Sequence, residues 1–363
     1  MFTIKGFYNT ATVFANASDV DQQAIDQIKD LLAREFTEGS TIRIMSDVHS
    51  GAGCVIGTTM TIGSTVVPNL VGVDIGCGLE VVRLLDGSID LKALDQLIYR
   101  SIPAGFKIRE REHPYNDTIN LESLRCSSSV DLKRARLSLG TLGGGNHFIE
   151  VNVDENKATY LVVHSGSRHI GLQVATYYQQ RASKGGGDPL AHLEGPLFDD
   201  YLHDMRLMQR YADLNRKAIV DTIMSGLSLS GSDRFTTIHN YIDTEKMILR
   251  KGAVSAQEGE RLIIPLNMRD GSLLCIGKGN GQWNYSAPHG AGRSMSRREA
   301  RRVLDLKAYR SMMQGIYTTS VSRATLDECP LAYKPLRALL DHITPTVDVI
   351  EQIKPIYNFK AAE

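Results

Sequence analysis

DVHSGAGCVIGTTMTIGSTVVPNLVGVDIGCGLEVVR, residues 47–83, sets Gly51, Gly53, Gly57, Gly63, Gly72, Gly76 and Gly78 among short β-branched runs. Glycines that interrupt such runs predict strands joined by tight turns, with backbone brought close to a ligand. The stretch therefore reads as a site rather than a linker. On its N-terminal side, Ser18 followed by Ala24, Ile25, Ile28, Leu31 and Leu32 predicts an N-capped amphipathic helix ending near Phe36, and TIRIM at 41–45 alternates like a strand. On its C-terminal side, Leu202, Met205, Met208, Ala212, Ile219 and Ile223 recur at helical spacing. They predict one long helix from Pro196 to about Met224, or two broken near Asn215, with the methionines as core filler. Gly185 to Gly187 and SGLSLSGSD at 225–233 flank it as loops, neither long enough to require a domain boundary, and no internal repeat is evident.

Composition narrows the class. The chain has 363 residues, 42% hydrophobic and 23% charged, enough to bury a large core. No run of eighteen apolar residues occurs, and Met1 to Lys5 lead into a mixed segment, so neither a membrane span nor a secretory signal is expected and the expected location is cytoplasmic. Cys54, Cys77, Cys126, Cys275 and Cys329 are scattered without a C-x-x-C pair, which argues against a disulfide framework or a zinc knuckle. Any special cysteine acts alone. Basic and acidic residues number 41 each, so the molecule lacks the broad positive field of a non-specific nucleic-acid binder. RNA would need a local patch, and two are available: Arg293, Arg297, Arg298, Arg301 and Arg302, and Lys107, Arg109 and Arg111. Either a solvated face or a phosphate grip fits them.

Four histidines border short strand-like runs: His147 in GGGNHFIEV, His164 in YLVVHSGSR, His239 in FTTIHNYI and His289 in YSAPHGAGR. A histidine at a strand end beside glycines is held rigidly while its imidazole faces open space, which suits metal ligation or catalysis. Asp74 and Cys77 in VGVDIGCG offer a carboxylate and a thiol three residues apart across a turn. A thiolate can bridge two cations, whereas a buried free cysteine only fills space. Donor softness favours zinc for Asp74, Cys77, His147, His164 and His239, with manganese or cobalt weaker candidates, and the ligand types leave the metal open. Five donors with a bridge suggest two ions, a geometry suited to phosphoryl transfer. Gly143 to Gly145, SGSR at 165–168 and GAGR at 290–293 are candidate phosphate turns, with Arg168 and Arg293 beside them. GSLLCIGKGNG at 271–281 fails as a Walker A loop because Gly279 stands where Ser or Thr should bind magnesium.

Together, SDVHSGAG (46–53), VGVDIGCG (71–78), LGGGNHFIEV (142–151), VVHSGSRHIG (162–171), the His239-Asn240 pair, HGAGRSMSR (289–297) and PIYNFK (355–360) resemble, in order, the blocks of the RtcB family of RNA ligases. The resemblance implies a single α+β domain over residues 1–363, with mixed β-sheets surrounded by helices and a central metal and nucleotide cleft. It implies two manganese ions and GTP as cofactors. The implied substrates are RNA ends bearing a 3′-phosphate or 2′,3′-cyclic phosphate and a 5′-hydroxyl, in RNA repair or tRNA splicing, with an activator of the archease type. His289 matches the guanylylated histidine, and Asp74, Cys77, His147, His164 and His239 match the manganese ligands, Cys77 also serving catalysis as bridge. Asn146 matches a phosphate contact, Glu150 and Lys360 match guanine-nucleotide contacts, and Gly290, Ala291, Gly292 and Arg293 match the turn after the nucleophile.

The chain departs from the family pattern at PLNMRDGS (265–272), which stands where members carry a Pro-Gly-Ser-Met-Gly run, and it reads as a short, divergent branch. Strand alternation places His147 opposite Asn146 and Glu150, so a bulge or irregular backbone is expected there. Two other readings use the same residues: a two-metal phosphodiesterase or end-processing hydrolase, and a non-catalytic, metal- or nucleotide-responsive RNA binder.

Overall fold

A computed structural model describes residues 1–361 apart from Asp86 and Ser88. The glycine-rich stretch forms strands that enter two different sheets. Ile42–His49 and Ile56–Thr61 lie at the centre of a six-stranded sheet whose order continues outward to Thr10–Val13 and Phe2–Lys5 on one side, and to Ile248–Lys251 and Asn240–Asp243 on the other. Its one parallel pairing joins Thr10–Val13 to Ile42–His49. Gly78–Leu84 belongs to an antiparallel seven-stranded sheet in the order Gly231–Ile238, Gly78–Leu84, Thr159–Ser165, Phe148–Val153, Val347–Lys360, Gly271–Gly277, Arg261–Asn267. The fold is thus α+β, with mixed sheets and helices packed around them, in agreement with expectation.

The chain crosses from the larger sheet to the smaller at one residue. Ile238 ends a strand of the first and Asn240 begins a strand of the second, leaving His239 at the seam. The His239 N–H donates to the Cys77 carbonyl at 2.9 Å, which ties that crossing to the turn preceding Gly78–Leu84. Gly78 has to be glycine: a Cβ there would lie 2.3 Å from the Thr237 carbonyl oxygen, so any side chain would push the strands apart.

The first helix runs Gln22–Leu32, shorter than expected, and its N-cap is Asp21, whose carboxylate accepts from the Ala24 N–H at 2.7 Å. Ser18 lies in a separate turn, Ala17–Asp19, because Val20 is extended and interrupts the helix. Phe36 likewise falls in a turn of its own, Glu35–Thr37. The long helix is a single piece, Pro196–Gly226, and does not break at Asn215. Asn215 is fully buried, and its amide accepts from the Gly140 and Thr141 N–H groups while donating to Thr141 O, Ser165 Oγ and Gly166 O. A side chain so occupied has no reason to compete for its own backbone, which is how asparagine usually ends helices. The same helix contributes Arg216, fully buried, whose Nη1 donates to Gly76 O and Ser165 O. The helix thus braces both the 74–78 turn and the SGSR turn from beneath. Among the described residues, no helix is long and apolar enough to cross a membrane.

Candidate active site

The four histidines stand where the sequence places them. His147 directly precedes Phe148–Val153, His164 is the penultimate residue of Thr159–Ser165, His239 is the seam residue, and His289 follows Ser286–Pro288. Their rings form a row: 147 to 164 and 164 to 239 are each 5.1 Å between centroids, and 239 to 289 is 5.0 Å. The backbone at His147 is irregular, as expected, and takes the form of a turn rather than a strand bulge. That residue lies in the turn after Gly143 and Gly145, both at positive φ, so strand alternation does not apply to it.

Cys77 Sγ lies 3.4 Å from His147 Nε2 and 3.3 Å from His164 Nε2, and the three donor atoms fall within 4.8 Å of one another. Asp74 joins through His147, with Oδ2 2.9 Å from the same Nε2, while its Oδ1 accepts from the Ser167 N–H at 3.1 Å. His239 sits one ring further along and is outside this tight group. Gly166 lets the SGSR turn press on Asp74, since a Cβ there would be 2.2 Å from Asp74 Oδ1.

These residues could hold a metal. His164 Nδ1 lies 3.1 Å from the Asn146 carbonyl and His147 Nδ1 3.0 Å from that of Leu142, so each ring that donates its Nδ1–H turns an Nε2 lone pair toward Cys77. Arg168 Nη1, 3.2 Å from His147 Nδ1, competes with the carbonyl for that atom. A lone pair facing a carboxylate oxygen at 2.9 Å calls for a proton or a cation between them. Burial, followed by the neighbouring His147, pushes the His164 imidazole well below its ordinary value, and burial with the neighbouring His289 does the same to His239. Both rings are therefore neutral electron-pair donors. Burial and then the Asp74 charge push the Cys77 thiol well up, so without a cation it stays protonated. Burial also works against ionisation of Asp74, but hydrogen bonding and charge from His147 and the charge of Arg168 outweigh it and hold the carboxyl well below the usual range. His239 Nδ1 is buried with no hydrogen-bond partner among the described residues, an unmet atom beside the cluster.

A cavity of about 260 Å³ takes in every expected site residue except His147. His289 reaches it with one face, its side chain 20% exposed. Behind that ring Asp47, fully buried, accepts from His289 Nδ1 at 2.6 Å and from the His289 N–H at 3.1 Å with the same oxygen. A donated Nδ1–H leaves the Nε2 lone pair free, the state a nucleophilic imidazole requires. Sequence reasoning passed over Asp47, although it opens the DVHSGAG block; nothing local shows that its partner lies 242 residues away.

Lys360, which ends Val347–Lys360, and Glu150, from the adjacent Phe148–Val153, also line the cavity. Glu150 accepts from the Asn358 and Asn152 side-chain amides. Burial raises its carboxyl from 4.5 to about 7, against the pull of Lys360. Below pH 4.5 the group is neutral in both folded and unfolded chains. Between 4.5 and about 7 only the unfolded chain has released the proton, so stability falls as pH rises through that window. At about 1.4 kcal/mol per pH unit, the full penalty above pH 7 is on the order of 3 kcal/mol. Glu150→Gln is expected to raise the melting temperature by several degrees at pH 8 and hardly at all at pH 4.5. Equal shifts at both values, followed by scanning calorimetry, would contradict this account. The buried, unpartnered Asn152 Oδ1 and Asn358 Oδ1 could accept from the new amide.

Three expectations about phosphate and RNA contacts change. The Ala291 N–H donates to Pro265 O at 3.1 Å and that of Ser167 to Asp74, so neither amide is free for an anion. In the basic cluster after His289, Arg293, Arg297 and Arg301 pair with Asp327 and Glu328, while Arg298, Arg301 and Arg302 are the exposed members of that run. In the second cluster Lys107 and Arg111 are exposed while Arg109 is half-buried. The divergent segment does face the site: Pro265, Asn267, Met268 and Gly271 line the cavity.

Comparison with known proteins decides the family. The sequence model of tRNA-splicing ligase RtcB matches residues 32–361. The chain belongs to the RtcB family. It is 31% identical to the RNA-splicing ligase RtcB of Escherichia coli K12, over 88% of this chain and 90% of that protein. It is 28% identical to the tRNA-splicing ligase RtcB of Aeropyrum pernix, over 86% of each, and 26% identical to that of Archaeoglobus fulgidus, over 93% and 91%. The RtcB match begins at residue 32, yet Phe2–Lys5 and Thr10–Val13 extend the same sheet that carries Asp47.

Proposed function

We propose that this chain is a manganese- and GTP-dependent RNA ligase that joins RNA 3′-phosphate or 2′,3′-cyclic phosphate ends to 5′-hydroxyl ends through a GMP-histidine intermediate, in RNA repair or tRNA splicing. The observation that carries the reading is that His289, oriented by Asp47, opens onto the same cavity as Cys77, His164 and His239. A hydrolase needs a metal-bound water and no second, separately oriented imidazole.

In this reading His289 Nε2 attacks the α-phosphorus of GTP and pyrophosphate departs, while Asp47 offsets the positive charge that develops on the ring. An RNA 3′-phosphate oxygen then takes the guanylyl group and frees His289. Finally the 5′-hydroxyl attacks the activated 3′-phosphorus and expels GMP. Asp74, Cys77, His147, His164 and His239 would hold two manganese ions. When bound, such ions polarise phosphoryl oxygens and deprotonate the Cys77 thiol. In this reading Asn146 and Arg293 would contact phosphate and Glu150 and Lys360 the guanine nucleotide; all four line the cavity. An activator of the archease type would act on this same cycle.

The test is a ligation assay with a cleaved stem-loop bearing a 2′,3′-cyclic phosphate and a 5′-hydroxyl. Sealed RNA that requires both GTP and manganese supports the proposal. Ring-opened product without sealing at any GTP concentration would replace it with an end-processing hydrolase, and RNA binding without turnover with a binding protein.

A further inference from the structure

We infer that Glu328 is a positioning residue that sets the wall of the nucleotide cavity, by holding Lys360, Arg297 and Tyr333 on one buried carboxylate. The inference rests on the nucleotide reading of that cavity and adds to it a residue outside the cavity itself.

Glu328 ends the turn Arg323–Glu328, and its side chain is 2% exposed. One oxygen, Oε2, meets the Lys360 ammonium and accepts from the Tyr333 hydroxyl at 2.8 Å. The other, Oε1, accepts from Arg297 Nη1 at 2.6 Å and faces Arg293 Nη1 at 3.6 Å. All four partners line the cavity, whereas Glu328 does not. They come from three separate parts of the chain: the run after His289, the segment at Tyr333, and the strand that ends in Lys360. The neighbouring Asp327 shares Arg297 Nη1 at 2.6 Å and also pairs with the more exposed Arg301, so Arg297 bridges the two acids.

A purely structural role explains this poorly. Buried ion clusters add little stability over apolar packing of the same volume, because desolvation offsets attraction. Without the carboxylate, Arg297 would keep its pair with Asp327 and Arg293 its bonds to the Met295 and Asp327 carbonyls, so Lys360 would lose the most. Lys360 has few other anchors: its Nζ lies 3.5 Å from the Asn146 carbonyl and 5.4 Å from the centre of the Phe148 ring. Burial opposes charge on Glu328, but Lys360 and then Arg297 outweigh it and hold the carboxyl near 2, so the clamp is charged throughout the working range. Glu150, which also feels the Lys360 charge, titrates near 7 and is only partly ionised at neutral pH, so it is the weaker counter-charge.

The experiment compares wild type, Glu328→Gln and Glu328→Asp in two measurements. In guanylylation kinetics, Glu328→Gln is expected to raise KM for GTP at least tenfold with kcat changed less than threefold, and Glu328→Asp, which keeps the charge but is shorter, to fall between. In competitive acetylation of the nucleotide-free protein, read by mass spectrometry, Lys360 is expected to react at least fivefold faster in Glu328→Gln while the exposed Lys107 and Lys307 keep their rates. Unchanged Lys360 reactivity, or GTP binding as tight as wild type in a folded variant, overturns the inference. Should Glu328→Gln fail to fold, the same two criteria apply to Glu328→Asp. Wild-type protein that takes up no GMP refutes the ligase reading, and the acetylation rates then decide the clamp alone.

Discussion

Cys77→Ala is expected to yield a folded protein that retains neither bound metal nor ligase activity. The thiol is 2% exposed and stands between His147 and His164, so no other side chain can take its place between the two Nε2 atoms. Loss of an outer-layer partner of a metal ligand already lowers metal affinity about 10- to 100-fold. In the proposed two-ion reading a thiolate shared by both ions would be lost from both, and the effect should exceed that. The structural cost is small by comparison, about 1–2 kcal/mol for one buried sulfur and the void it leaves. Circular dichroism should therefore be unchanged while manganese, measured by plasma mass spectrometry after gel filtration, falls below one ion per chain. A variant that keeps two ions and seals RNA normally would remove Cys77 from the centre of the site.

The second large effect belongs to His289. His289→Ala should abolish acid-labile labelling by radioactive GTP and reduce sealing by roughly 10⁴-fold or more, as expected when a covalent nucleophile is removed. Metal content should hold, because His289 is separated from Cys77 by His164 and His239 in the row of rings. Asp47→Asn tests the same step from behind. It preserves the shape but removes the charge facing Nδ1, and is expected to slow guanylylation by about 10²- to 10⁴-fold with metal content unchanged. Labelling that persists in His289→Ala would move the nucleophile elsewhere.

Much of this site was legible because glycine-rich turns and strand-end histidines leave local marks. His147, His164, His239 and His289 each border a short apolar run, and all reach one region. What escaped the sequence was pairing over distance. Asp47 looks like an ordinary turn acid until His289 folds onto it, and Glu328 appears unremarkable in LDECP until Lys360 and Arg297 meet it. The arginines after His289 misled for the same reason, since a basic run reads as a surface patch when its acids lie some thirty residues downstream. Asn215 shows the converse. Its intrinsic preference argues for a helix break, and five hydrogen bonds to segments 49 to 75 residues away override it.

The strand Val347–Lys360 pairs along its first half with Gly271–Gly277 and along its second with Phe148–Val153. It is translated after every strand it joins. Until it arrives, the hairpin made by Arg261–Asn267 and Gly271–Gly277 has no backbone link to the other four strands, and two open edges await a partner. The final rung, Lys360 beside Phe148, is also the one that delivers the lysine to the cavity. The strand that closes the sheet is thus also the one that completes this wall of the cavity.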